Sequence, residues 1–262
     1  MQDIKWGIIG CGGIARKFVS SLNALEQGTL SAVASSSPER AGAFAAETGA
    51  GTSYGSYAEL IADPEIDIIY IATTHNFHHR NLIECLEGGK SVLCEKPLTV
   101  NAAQAEEAIQ LAHKNNCFLM EGMWTRFLPA IQKAKALLQA GAIGERLSVK
   151  ADLSFRGPDD PKHRLFNREL AGGALLDVGI YPLSLAAFMM ERQPVKVQSH
   201  AVIGPTGVDD RSFYLLDYGD GLTAHLSSGI TAALPVDAYI SGSKGFIKIH
   251  EFLWSQKIEL HV

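Results

Sequence analysis

Apolar positions over the first 120 residues fall into short blocks separated by longer stretches of helical period. Ile4 to Ile9 is mostly apolar and stops at Gly10, as a buried strand does, and a helical pattern then runs to about Glu26. Leu30 to Ala34, Asp67 to Ala72, Ser91 to Cys94 and Cys117 to Glu121 repeat the strand signal. Helices are predicted between them: one from Pro38, one ending near Leu86, and one from Asn101 to Asn115 with Asn101 as its cap. Alternation of this kind predicts a doubly wound parallel sheet with helices on both faces, a Rossmann-type α/β domain over residues 1–122.

The period changes after about Gly144. Leu147 to Phe155 alternates as a strand with one exposed face. Val195 to Ile203, Ser212 to Tyr218, Leu222 to Ser228, Val236 to Ser241, Phe246 to His250 and Lys257 to Leu260 follow, with Gly219-Asp220-Gly221 as a hairpin signal. The 172–190 stretch is the one helix expected in this half. Residues 123–262 therefore predict an α+β domain with a mostly antiparallel sheet.

Composition narrows the function. The chain has 262 residues, 47% of them hydrophobic, and a net charge of -5, which argues against nucleic acid as a partner. No apolar run reaches membrane-spanning length and no signal peptide pattern opens the chain, so no membrane partner is expected. Cys11, Cys85, Cys94 and Cys117 lack metal-site spacing; they read as reduced thiols of a cytoplasmic protein, and no metal site is predicted.

Gly10-Cys11-Gly12-Gly13-Ile14-Ala15 matches G-x-G-x-x-A between a strand and a helix. Gly10 makes the turn, Gly12 lets a pyrophosphate approach the backbone, and small Ala15 packs helix on strand; Gly13 and Ile14 complete the turn. An acidic residue for the ribose hydroxyls belongs at the end of the next strand, but Ser35, Ser36 and Ser37 stand there with Arg40 one turn later. Hydroxyl and guanidinium donors favour a 2′-phosphate, hence NADP over NAD; alternatively the serines cap the helix from Pro38. Thr73, Thr74 and His78, after the Asp67–Ala72 strand, are candidate cofactor-side residues, with His75 and His79 expected at the surface. Pro97 holds the chain extended after Glu95 and Lys96 and so aims the lysine amine. Gly172 and Gly173 allow a tight turn before an apolar helix, on which Asp177 and Tyr181 share a face.

Taken in order, Gly10 to Ala15, Glu95-Lys96-Pro97 and Gly172 to Tyr181 resemble the glucose–fructose oxidoreductase and inositol dehydrogenase family over essentially the whole chain. The resemblance is strongest to its dihydrodiol dehydrogenase and NADP-dependent xylose dehydrogenase branch, which has Tyr where most of the family has His, here Tyr181, and a WTRF segment, here Trp124 to Phe127. It implies a Rossmann domain followed by a sheet that forms a homodimer face. It also implies Lys96 as the catalytic lysine, Glu95 beside the nicotinamide ribose, and Asp177 as the family aspartate. Trp124, Arg126, Phe155 and Tyr181 become substrate-side residues, whereas Arg156, Arg164 and Arg168 lie in a polar loop, most of it expected to be solvated. The implied reaction is hydride transfer between NADP and a carbinol carbon of a sugar, polyol or diol. Tyr181 exchanges the hydroxyl proton, helped by the Lys96 ammonium. A non-catalytic NADP-binding sensor on the same fold is the alternative. Members of the family run on past the equivalent of Val262, so a fragment or a short tail is expected here.

Overall fold

A computed structural model describes residues 3–262, which divide into two compact units, one ending at Gly122 and the other Met123–Val262. In the first, β1 (Ile4–Ile9), α1 (Gly13–Leu22), β2 (Gly28–Ala34), α2 (Pro38–Thr48), β3 (Thr52–Tyr54), α3 (Tyr57–Ala62), β4 (Ile68–Ile71), α4 (His75–Glu87), β5 (Ser91–Cys94), α5 (Ala102–Lys114) and β6 (Leu119–Glu121) follow in order. All their pairings are parallel and the strand order is β3-β2-β1-β4-β5-β6. The order reverses between β1 and β4, where doubly wound sheets place their ligands. Ile8, Ile9, Ile69, Ile71 and Val92 are fully buried, as strands covered on both faces require.

Two elements of this unit go beyond the sequence reading, β3 and α3. The α3 helix starts at a complete capping box, Ser56 with Glu59. Asn101 caps α5 as expected, accepting from the Gln104 amide at 3.0 Å. The α1 helix stops at Leu22, short of the expected Glu26.

The second unit holds α6 (Pro129–Gln139), β7 (Arg146–Ser154), α7 (Ile180–Met190), β8 (Lys196–Ile203), β9 (Asp209–Gly219), β10 (Leu222–Gly229), β11 (Ala238–Gly242), β12 (Gly245–Ile249) and β13 (Ile258–His261). Its sheet runs β13-β12-β11-β7-β10-β9-β8, antiparallel throughout except for the parallel β10–β7 pair. The Gly219–Gly221 turn closes the β9–β10 hairpin, with all three residues at positive φ. Val149, Ala151, Tyr214, Leu216, Leu226, Ile240 and Ile247 form the inner face and pack into one core with Ile131, Leu185 and Met189 of the helices.

The expectation of a single helix in this half is corrected twice. The α6 helix has Pro129 at its first turn and a buried stripe of Ile131, Ala134 and Leu138. The 172–190 stretch is not one uniform helix: Leu175–Gly179 is a π-helical turn that continues into α7. The run Arg168–Met190 is long and apolar enough to suit a membrane crossing by composition, but 67% of its apolar window is buried inside the unit, as in a core helix.

Candidate active site

The first unit presents its chemistry at the carboxyl ends of β1, β2, β4 and β5. Gly10 has φ +98°, and a Cβ there would meet the Ala72 carbonyl at 2.8 Å, so only glycine fits the turn. Gly12 is the N-cap of α1 and no side chain occupies the cap, while a Cβ on Gly13 would meet nothing within 4 Å. Free helix N–H groups therefore open onto space, the arrangement that binds a pyrophosphate. Ala15 is fully buried against the sheet side and Ile14 stays exposed.

The three serines differ. Ser35 is buried and its hydroxyl accepts from the Ser37 amide at 3.3 Å. Ser37 caps α2 by accepting from the Arg40 amide, and donates to the Glu39 carboxylate at 2.6 Å. Ser36 accepts from the Arg40 guanidinium at 2.9 Å, so Ser36 and Arg40 form the donor pair left for a 2′-phosphate. The expectation that all three hydroxyls are free to donate is thus corrected: the Ser37 hydroxyl is taken up by the cap and by a carboxylate that the sequence reading passed over.

After β4, the Thr74 hydroxyl donates to Asn76 at 2.8 Å and Thr73 accepts from the Asn81 side chain at 3.1 Å. His78 is fully buried, with ring nitrogens against the Pro97 carbonyl at 2.8 Å and the Thr73 carbonyl at 3.1 Å. Burial lowers the pKa of this imidazole. It does not line an open cleft, as the sequence reading expected; it ties the start of α4 to the Lys96–Pro97 segment. His75, expected at the surface, is buried too. The described residues contain no cluster of metal-ligating side chains.

At the end of β5, burial raises the Glu95 pKa, while the Tyr70 hydroxyl donates to it at 2.5 Å and opposes that rise. The Lys96–Pro97 bond is cis, and Glu121 accepts from the Leu98 amide at 2.9 Å, anchoring the chain beyond it.

Tyr181 belongs to the second unit. Asp177 lies on the π-turn and Tyr181 on the first turn of α7; the two are 5% and 8% exposed. The Trp124 indole N–H donates to the Tyr181 oxygen at 3.3 Å, with the rings edge to face. Arg126 donates to the Ser184 hydroxyl, one turn along α7, at 2.9 Å, so its guanidinium braces the helix. Arg164 pairs with Asp177 at 2.7 Å. That partner was missed, because Arg164 lies thirteen positions before Asp177 in an irregular loop and no local period links them. Phe155 is partly exposed and its amide donates to the Gly229 carbonyl at 3.1 Å, continuing the strand pairing beyond β7. The Arg156 segment bridges to Thr231.

Comparison with known proteins shows the family. Residues 4–123 match the family model of an oxidoreductase family with an NAD-binding Rossmann fold, and residues 131–248 match the GFO/IDH/MocA C-terminal domain. The trans-1,2-dihydrobenzene-1,2-diol dehydrogenase of Xenopus laevis is 41% identical over 254 residues, which is 96% of this chain and 76% of that protein. The D-xylose 1-dehydrogenase (NADP(+)) of Hypocrea jecorina is 42% identical over 69% of this chain and 51% of its own. In three dimensions the aldose-aldose oxidoreductase of Caulobacter crescentus, solved with glycerol, superposes with a TM-score of 0.90 at 28% identity over 99% of this chain and 80% of that one. A 3-ketoreductase from Actinomadura kijaniata, solved with NADP and TDP-benzene, has a TM-score of 0.88 at 26% identity and covers 100% of this chain and 84% of its own. The two family-model matches together cover most of the chain and place it in the GFO/IDH/MocA oxidoreductase family.

Proposed function

We propose that this enzyme oxidises a secondary or hemiacetal carbinol of a sugar, polyol or trans-dihydrodiol with NADP, and catalyses the reverse reduction. The observation that carries the reading is the Trp124–Tyr181–Asp177–Arg164 group: a buried phenol with an N–H donor on its oxygen, beside a buried carboxylate held by a guanidinium. NADP held by the glycine turn and the Ser36–Arg40 pair would supply the hydride acceptor for the carbinol carbon. Tyr181 takes the hydroxyl proton in oxidation and returns it in reduction, and the Trp124 N–H stabilises the phenolate oxygen that makes this possible. Asp177 orients substrate hydroxyls, and Lys96 hydrogen-bonds the reacting oxygen. Glu95, which accepts from the Tyr70 hydroxyl, would hold the nicotinamide ribose. The names of the relatives, a dihydrodiol and a xylose dehydrogenase, support the substrate class.

NADP is favoured over NAD by the Arg40–Ser36 pair. A homodimer is proposed through the outer face of the second unit's sheet, where Phe213 and Leu215 of β9 lie exposed and, three strands or more away, Phe246 lies exposed beside Tyr239. A cytoplasmic setting fits four unpaired cysteines.

Fluorescence titration with NADPH and NADH, followed by a screen of aldoses, polyols and trans-dihydrodiols, tests the reading. Tyr181→Phe is expected to cut turnover by about 10²-fold or more with NADPH affinity within a few fold. Near-full activity in that variant removes Tyr181 from the proton transfer. Light scattering after size exclusion tests the dimer, and a monomer at micromolar concentration refutes it.

A further inference from the structure

The Asp177–Tyr181 spacing is set by a π-turn, and π-turns are strained insertions that need outside support to persist. The support comes from β9. Asp209, its first residue, accepts from the Leu175 amide at 2.7 Å through the same oxygen that accepts from the Ser212 hydroxyl at 2.6 Å. Leu175 is the first residue of the π-turn. The other Asp209 oxygen lies where a Cβ on Gly173 would sit, and Gly173 has φ +112°, so glycine admits the carboxylate against the backbone. The N-terminal end of a helix carries a partial positive charge and unpaired N–H groups, and the carboxylate answers both. At the far end of the turn, a Cβ on Gly179 would meet the Tyr214 hydroxyl at 2.7 Å and the Ser228 hydroxyl at 2.9 Å, and these two hydroxyls bond each other at 3.0 Å. The turn is therefore held between Asp209 and the Tyr214–Ser228 pair, with Asp177 between the two holds.

We infer that Asp209 is a positioning residue for the dehydrogenase reaction: its carboxylate fixes the register of the π-turn and so the direction in which Asp177 and Tyr181 face the substrate. The inference rests on the catalytic reading of Tyr181 above. Without the Asp209 acceptor, the Leu175 N–H at the helix N-terminus loses its partner and nothing on that side holds the π-turn against relaxation to ordinary α-helix, which rotates Asp177 and Tyr181 relative to each other. Displacements of about 1 Å at reacting groups cost about 10²-fold in rate.

The test compares wild type, Asp209→Ala, Asp209→Asn and Tyr181→Phe, measuring kcat, KM, the solvent deuterium isotope effect on kcat, and NADPH affinity. Asp209→Ala is expected to lose about 30-fold or more in kcat and to show a larger solvent isotope effect, because proton transfer becomes slow. NADPH affinity is expected to stay within about twofold, since the nucleotide turn lies in the other unit. Asp209→Asn keeps an acceptor for Leu175 and is expected to recover kcat to within about threefold of wild type. A folded Asp209→Ala enzyme with kcat within about twofold of wild type, or a slower one with an unchanged isotope effect, overturns the inference. If Asp209→Ala fails to fold, Asp209→Glu decides: it keeps the charge but moves it by one methylene, so reduced kcat supports the role and full kcat overturns it. An inactive Tyr181→Phe beside a fully active Asp209→Ala sinks this inference alone, whereas an active Tyr181→Phe sinks the catalytic reading itself.

Discussion

The Trp124 indole N–H points at the Tyr181 oxygen across 3.3 Å, with ring centroids 6.4 Å apart and planes at 78°. An indole nitrogen can only donate, so the bond strengthens when the phenol gives up its proton. Trp124→Phe keeps an aromatic ring opposite Tyr181 and deletes the donor, with a smaller ring. It is expected to lower kcat about tenfold while NADPH affinity holds, equivalent to about 1.4 kcal/mol of lost transition-state stabilisation. Steady-state kinetics at saturating cofactor check this, and an unchanged kcat would release Trp124 from any role at the phenol.

Arg164 and Asp177 are unequal partners. The carboxylate is buried, whereas the Arg164 side chain is 47% exposed. Removing Arg164 leaves Asp177 buried without its guanidinium, while removing Asp177 frees Arg164 to water. Arg164→Met is therefore expected to destabilise the fold by about 1–3 kcal/mol, and Asp177→Asn by less. Chemical denaturation of both single variants and the double variant measures the coupling, and an Arg164→Met loss no larger than that of Asp177→Asn contradicts the asymmetry.

At the end of β2, the guanidinium of Arg40 rests on the Ser36 hydroxyl, and Glu39 is engaged by Ser37. Arg40→Ala is expected to weaken NADPH about tenfold, or about 1.4 kcal/mol, and to leave NADH within about twofold. Parallel titrations decide the matter. Equal losses for both cofactors would mean that Arg40 supports the turn and does not read the phosphate.

Much of this was legible in the chain. Strand–helix alternation and Gly10 to Ala15 carried the first unit because each signal is local: a buried run, a turn glycine, a capped helix. The β9–β10 hairpin was legible from Gly219-Asp220-Gly221 for the same reason. Non-local features were not legible. Arg164 finds Asp177, and Asp209 finds Leu175, across folded distance, and neither pair has a period that connects it. His78 shows the converse error: a histidine beside a cofactor strand reads as a ligand contact, yet its ring serves two backbone carbonyls. The α6 helix was passed over although Pro129 and the Ile131–Ala134–Leu138 spacing mark it, because elements of the second half were assigned only from the change of period near Gly144 onward.

The helix carrying Tyr181 is also tied at its far end, and that tie depends on pH. Lys135 donates to the Phe188 carbonyl and pairs with Glu191 at 2.7 Å. Arg146 donates to the Met189 carbonyl and pairs with Glu191 at 2.9 Å. Both cations sit where the last carbonyls of α7 collect partial negative charge. Lys135 and then Arg146, as hydrogen-bond donors, lower the Glu191 pKa to about 2. A carboxyl with a depressed folded pKa adds stability above its unfolded pKa, near the ordinary glutamate value of 4.5, and loses it as pH falls toward the folded value. The Glu191 side chain is 44% exposed, so solvent screening limits the contribution at neutral pH to about 1 kcal/mol. Glu191→Gln is thus expected to be less stable than wild type by about that amount at pH 7, and the gap should close steadily from about pH 5 to about pH 2. Urea denaturation of both proteins at pH 7, 5 and 3 measures it. A gap that stays constant down to pH 3 would mean that Glu191 acts through its shape at φ +59° rather than through its charge.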